Sequence, residues 1–256
     1  MTAAEKNSLA HFLDLAAAVT GSGYRLRDDP VPVTEEIAEP AAEYLPEAAA
    51  SSNAVSGDIS ADSLELVAAD VRGCTACKLS ATRTNAVPGE GQSQPLVMVI
   101  GEGPGADEDA TGRPFVGKAG QLLDKMLAAI GLSRESNCYI ANVIKCRAPG
   151  NRDPQPDETA ACASFLQRQI QLLQPRFILC AGRIAAQTLL NTSTPIGKLR
   201  GKFIDFKAGD TVIPFLPTYH PSALLRNEDL KRPAWEDLKL LRARMDSEQG
   251  AVNSEQ

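Results

Sequence analysis

Four cysteines stand at spacings suited to metal ligation. Cys74 and Cys77 form the tetrapeptide CTAC, and Cys146 and Cys162 bracket the segment KCRAPGNRDPQPDETAAC. Two thiolates on one tight turn can share a metal, and a distant pair can complete fourfold coordination. The segment between Cys146 and Cys162 is rich in Pro, Gly and Asn and carries no large apolar residue, so it cannot pin itself by packing. A metal centre would pin it. Zinc and an iron-sulfur cluster both accept four thiolates, and spacing does not separate them; reduced thiols buried as small apolar groups are the alternative reading. Cys138 and Cys180 lie in or beside strand-like apolar runs and are expected in the core.

A second set of residues suggests an organic ligand. Residues 101–117, GEGPGADEDATGRPFVG, are glycine-rich like a phosphate loop, yet they carry Glu102, Asp107, Glu108 and Asp109 and lack the lysine and helix-opening glycines of phosphate loops. Asn142 lies near the end of an apolar run, and His220 follows another in PTYHPSALLR, where Pro221 enforces a turn. The other histidine, His11, falls in a short amphipathic N-terminal pattern and reads as a surface residue.

The elements that must position these groups follow from hydrophobic pattern. Runs at Leu96 to Ile100, Tyr139 to Ile144, Phe177 to Ala181 and Val212 to Leu216 are strand-length and continuous, as expected for strands buried on both faces. Helical spacing joins Leu122, Leu123, Met126, Leu127 and Ile130, then Cys162, Phe165, Leu166, Ile170 and Leu173, then Ile184, Ala185, Leu189 and Leu190. Strands alternating with helices imply right-handed crossovers and a three-layer α/β/α fold around a mainly parallel, four-stranded sheet, with ligands beyond the carboxyl ends of the strands. The acidic loop, Asn142 and His220 all fall at that edge. Four segments are expected: an amphipathic helix within residues 1–24, an acidic Pro/Ala/Ser-rich disordered linker over 25–64, the folded domain over 65–245 and a tail over 246–256.

Charge follows the same division. The formal charge is −6, but residues 1–70 hold 13 acidic and 3 basic side chains, leaving the remainder with 23 basic and 19 acidic and a net +4. A mildly basic body fits a polyanionic partner. No apolar run approaches the roughly 20 residues that span a bilayer, and no secretory signal is present, so a cytoplasmic monomer with reduced thiols is expected. The N-terminal helix is a candidate docking peptide for a protein partner.

Three stretches, GEGPGADEDATGRPFVGKAGQLLDKML, NVIKCRAPGNRDP and HPSALLR, together with the four cysteines, closely resemble the family-4 uracil-DNA glycosylases, base-excision repair enzymes that carry a [4Fe-4S] cluster. The resemblance covers residues 65 to 245. It implies a uracil-DNA glycosylase fold, hydrolysis of the N-glycosidic bond of a flipped uracil in nucleoid-associated DNA, and a cluster on Cys74, Cys77, Cys146 and Cys162. It also implies site roles. Phe115 stacks on the base, Asn142 reads N3–H and O4, Glu108 packs near C5 against the thymine methyl, and His220 bonds O2 as charge develops. Gly103 stands where the family-1 enzymes place a water-ordering aspartate. Glu102 orders the water, stabilises the sugar cation, or serves as scaffold. Ser222, Arg226, Lys145, Arg147 and Arg152 are expected on phosphates, and Leu224 as a wedge in the vacated stack. A related branch traps DNA through a histidine after the second strand; none occurs here, so no cross-link is expected. A non-catalytic Fe-S DNA-binding or polymerase-accessory module of the same fold is the alternative.

Overall fold

The structure, a computed structural model, describes residues 62–254, with side chains as far as Glu248. The N-terminal helix with His11, and nearly all of the acidic linker, lie outside the described residues.

Six strands form one sheet: β1 (Glu90–Gly91), β2 (Val97–Gly101), β3 (Cys138–Asn142), β4 (Phe177–Ala181), β5 (Ile204–Ala208) and β6 (Thr211–Thr218). Their spatial order is β1-β3-β2-β4-β6-β5. The central four are parallel and correspond to the four apolar runs, while β1 and β5 add antiparallel edges. β5 escaped the pattern because IDFKA alternates between half-buried and exposed, as an edge strand facing water on one side must. The Gly209-Asp210 turn between β5 and β6, with Gly209 at φ +61°, is a hairpin signal that was legible. β3 also stops earlier than its apolar run, at Asn142, leaving Val143 to Lys145 as a buried loop.

Alternation along β2 splits the core. Val97 and Val99 face one layer with Leu122, Leu123, Met126, Trp235 and Leu238, while Met98 and Ile100 face the other with Val67, Val71, Leu166 and Ile170. The first layer is built from α3 (Lys118–Ala128), α7 (Pro221–Arg226) and α8 (Lys231–Ser254); the second from α1 (Leu64–Gly73), α4 (Pro156–Leu173) and α5 (Arg183–Leu190). Two short helices, α2 (Ala106–Thr111) and α6 (Ile196–Leu199), sit in loops at the carboxyl edge of the sheet. α8 runs on through residues 246–254, where a separate tail was expected, and Met245 is buried in the first layer.

Parallel register aligns the functional ends. Gly101 pairs with Asn142 and Ala181 with Thr218, so β2, β3, β4 and β6 all terminate at one edge. The chain leaves β2 to form β3 on one side, then crosses to β4 on the other, which opens a crevice at that edge.

Candidate active site

That crevice is a cavity of ≈ 570 Å³, and Glu102, Gly103, Glu108, Phe115, Asn142, His220, Ser222 and Arg226 all line it. Asn142 is 1% exposed, and among the described residues its Oδ1 has no hydrogen-bond partner. A buried amide oxygen left unpaired costs ~1–3 kcal/mol, so it is a vacancy for a donor. Phe115 lies beside it. A Cβ on Gly101 would come within 2.4 Å of Phe115 Cζ and 2.5 Å of Asn142 Oδ1, so only glycine lets ring and amide meet above the end of β2.

Phe115 was expected to stack on the base rather than to serve the core. It is 5% exposed and packs with the first-layer core, while still lining the cavity, and its ring centroid lies 5.5 Å from that of His220. Its φ of +52° is strained for a phenylalanine, and the surroundings enforce it. Buried Arg134 donates to Pro114 O at 2.9 Å and Phe115 O at 2.8 Å, and is itself held by Asp124 and Glu90. In α3, Gly120 allows the Phe115 carbonyl to approach, since a Cβ there would sit 1.9 Å from it. Arg134 had no motif to flag it in the sequence, and Gly120, though inside the quoted loop motif, carried no assigned role.

His220 caps the N-terminus of α7, with Pro221 at the first helical position. The Ser222 amide donates to His220 Nδ1 at 3.1 Å, with Ser222 Oγ 2.8 Å from the same nitrogen. An acceptor Nδ1 puts the imidazole proton on Nε2. Burial below the cavity mouth, reinforced by the Arg226 charge, pushes the pKa down to about 4, so the ring is neutral at pH 7. Gly182, at the end of β4 with φ +102°, makes room for it, as a Cβ there would meet His220 Cβ at 2.9 Å.

The sequence profile of the uracil DNA glycosylase superfamily matches residues 88–239, which contain every one of these groups. Relatives named type-4 uracil-DNA glycosylase align over most of the folded region. That of Saccharolobus solfataricus is 44% identical over 191 residues, 73% of this chain and 88% of the relative. Those of Sulfurisphaera tokodaii and Thermotoga maritima are 45% and 46% identical, over 71% and 69% of this chain and 84% and 91% of the relatives. The chain belongs to the type-4 uracil-DNA glycosylases.

Against that family pattern, several expected roles change. Glu108 lines the cavity with its carboxylate bonded to backbone amides. Its Oε1 accepts from the Val116 and Gly117 amides at 2.8 and 2.9 Å, and its Oε2 from the Gly105 amide at 3.0 Å, so the carboxylate caps α2 and ties down the Phe115 loop. Asp109 is likewise buried, accepting from the Thr84 and Asn85 amides. Glu108 thus accepts from the loop's own backbone, and Asp109 ties the loop to the segment at Thr84 and Asn85. Glu102 differs: no loop amide among the described residues donates to its carboxylate. Burial, then the charge of Asp153, raises its pKa against the pull of Arg183 and Arg226. Gly103 admits no aspartate, because a Cβ there would lie 2.6 Å from Ile144 Cγ1.

The phosphate contacts also divide. Arg226 is exposed at the cavity mouth. Lys145 is 1% exposed, donating from Nζ to Asn142 O at 2.9 Å and Gln169 Oε1 at 2.7 Å, with burial pushing its pKa down to about 7. It cannot reach DNA; it braces the end of β3 from beneath. Half-buried Arg147 donates to Asn151 Oδ1 at 2.8 Å. Arg152 is clamped on buried Glu158, which it holds down to a pKa of about 2. The Ser222 hydroxyl is engaged with His220 rather than turned to a phosphate. Leu224 is fully buried in the core, because α7 turns that face inward; Leu225 is the half-exposed leucine of the pair.

The four cysteines gather on one side of the sheet edge. Cys74 and Cys77 are half-buried and Cys146 and Cys162 buried, and the charges of Cys74 and Cys77 both act on Cys146, those of Cys146 and Cys77 on Cys162. Among the described residues no three His, Cys, Asp or Glu side chains converge as ligands of one metal ion. Four thiolate donors would suit either a single zinc or the corners of a [4Fe-4S] cluster. Arg83 Nη1 donates to Cys146 Sγ at 3.1 Å. The Pro-rich segment is also pinned without metal, by Arg152–Glu158 and by Lys78 on Gln155 and Asp157.

Proposed function

We propose that the chain excises uracil from DNA by hydrolysing its N-glycosidic bond. The observation that carries this reading is the buried, unpartnered Oδ1 of Asn142 in a cavity shared with an aromatic ring and a neutral imidazole. Uracil N3–H would satisfy that oxygen and its O4 would take the amide N–H, whereas cytosine presents an acceptor at N3 and donors at N4. Phe115 stacks on the base, a contact worth ~1–3 kcal/mol. His220 Nε2–H donates to O2 as negative charge builds there, and a preorganised donor of this kind is worth about 2.7–4 kcal/mol in the transition state. A neutral imidazole suits the role, since it donates without releasing a proton to the leaving base.

With Gly103 closed to a carboxylate, Glu102 is the acid placed to order water or to oppose the positive charge on the departing sugar. Arg226 takes a backbone phosphate at the mouth, and Leu225 rather than Leu224 is the apolar side chain placed to fill the vacated stack. Cys74, Cys77, Cys146 and Cys162 would hold a [4Fe-4S] cluster. Its contribution would be to fasten the CTAC segment to the loop after β3. No helix of the described residues is long and apolar enough to cross a membrane.

The test is a uracil-containing oligonucleotide incubated with the protein and then with alkali. Strand cleavage at uracil is expected, and Asn142→Asp should reduce it at least a hundredfold while weakening discrimination between uracil and cytosine. An unbroken strand would leave a binding module, and intact discrimination in Asn142→Asp would refute the edge-reading role.

A further inference from the structure

A second opening lies at the far end of α2. It is a cleft of ≈ 650 Å³ lined by Arg72, Arg83, Arg113 and Thr84, and by Ser80, Thr111 and Asn85, whose side chains already donate to Cys77 O, Asp107 O and Asp109 O; among the described residues no carboxylate is in its wall. Arg83 is fixed in place, donating to Cys146 Sγ at 3.1 Å and to Arg72 O at 3.0 Å. Arg113 is held by a two-point contact with Glu90 at 2.8 and 3.0 Å, which offsets its charge. Arg72 is exposed at the end of α1, where no carboxylate is bonded to it among the described residues. Guanidinium forks beside the Thr84 hydroxyl, in a wall without acids, suit a tetrahedral oxyanion.

Its position limits what that anion is. The first residues of α2 line the uracil cavity, and the last residue, with Gly112 and Arg113, lines the cleft. Six helical residues span roughly 9 Å, so the two openings are one to two nucleotides apart along a nucleic acid strand. We propose that the cleft binds a backbone phosphate of the DNA flanking the flipped nucleotide, with Arg72 as its principal charge. This rests on the chain being a DNA enzyme.

The test is binding of a fluorescent, uracil-free oligonucleotide duplex to the full chain over a range of salt concentrations. Arg72→Gln should flatten the slope of log affinity against log salt by about 0.9, the value for one lost phosphate contact, and weaken binding roughly eightfold near 0.1 M salt. Thr84→Glu, which places a carboxylate in the wall at an exposed position, should weaken binding at least as much, and covers the case in which Arg72→Gln fails to fold. Unchanged slope and affinity in both variants would overturn the proposal. So would a midpoint raised by inorganic phosphate in the native chain and not in Arg72→Gln, with DNA affinity equal in the two, since that marks a small-anion site. Uracil excision is measured separately. If the native chain releases no uracil but Arg72→Gln still flattens the slope, the cleft stands and the catalytic reading falls.

Discussion

Replacing Glu108 with glutamine separates a scaffold from a substrate contact. The carboxylate accepts three backbone amides, two at Oε1 and one at Oε2. Glutamine keeps one oxygen for Val116 and Gly117, but its NH2 then faces the Gly105 amide, donor against donor. One charge-assisted bond lost is worth about 1.5–3 kcal/mol, and the stranded amide and the neutralised acceptor add to it, for a total near ~3 kcal/mol. At ~2–4 °C per kcal/mol for a domain of this size, the midpoint of thermal unfolding should fall by roughly 6–12 °C. The same change frees the loop that holds Phe115, and a displacement on the order of 1 Å costs about a hundredfold in rate. The assay is thermal unfolding beside single-turnover release from uracil- and thymine-containing oligonucleotides. Lower stability and slower uracil release, with thymine still untouched, is the expected result. An unchanged midpoint together with new thymine release would refute the scaffold role and return Glu108 to the C5 edge.

Three further outcomes follow from the site. His220 stays neutral down to about pH 4, well below its ordinary 6.5, so it contributes no limb to the rate profile near neutrality; Glu102, raised by burial, protonates first as pH falls. The acid limb of single-turnover excision should therefore disappear in a slower Glu102→Gln variant, and its survival would remove Glu102 from the mechanism. The sign for stability is opposite in origin: because the folded state holds His220 below its unfolded pKa, that contribution is present above about 6.5 and is lost as pH falls towards about 4. Lys145→Met should lower the unfolding midpoint by leaving Asn142 O and Gln169 Oε1 without their donor, at about 1–3 kcal/mol each, while the salt slope of DNA binding stays as in the native chain. A flatter slope would restore Lys145 as a phosphate contact.

The central strands were legible because parallel strands buried on both faces leave continuous apolar runs, and β2 to β4 and β6 do. β5 was not, since half its side chains face solvent. Asn142, Phe115 and His220 were legible as chemistry placed at strand ends. Misjudged residues share a cause: Lys145 and Leu224 are of types that usually act at a surface or a DNA stack, and each is turned inward here. Arg134 and Gly182 carry no motif, because their work is to hold or make room for another residue.

Sequence alone determined the layer order, the edge at which ligands bind and the residue types brought there, because hydrophobic periodicity dictates which faces must be covered and topology dictates where loops converge. It equally determined the family. Tertiary structure alone decided which acids bond the backbone, which nitrogen of His220 carries the proton, and which leucine of the pair after it is fully buried. Those are matters of direction and of partners distant in the chain, such as Arg134 on Phe115 and Gln169 on Lys145, and a charge or a hydroxyl reads the same in sequence whichever way it points.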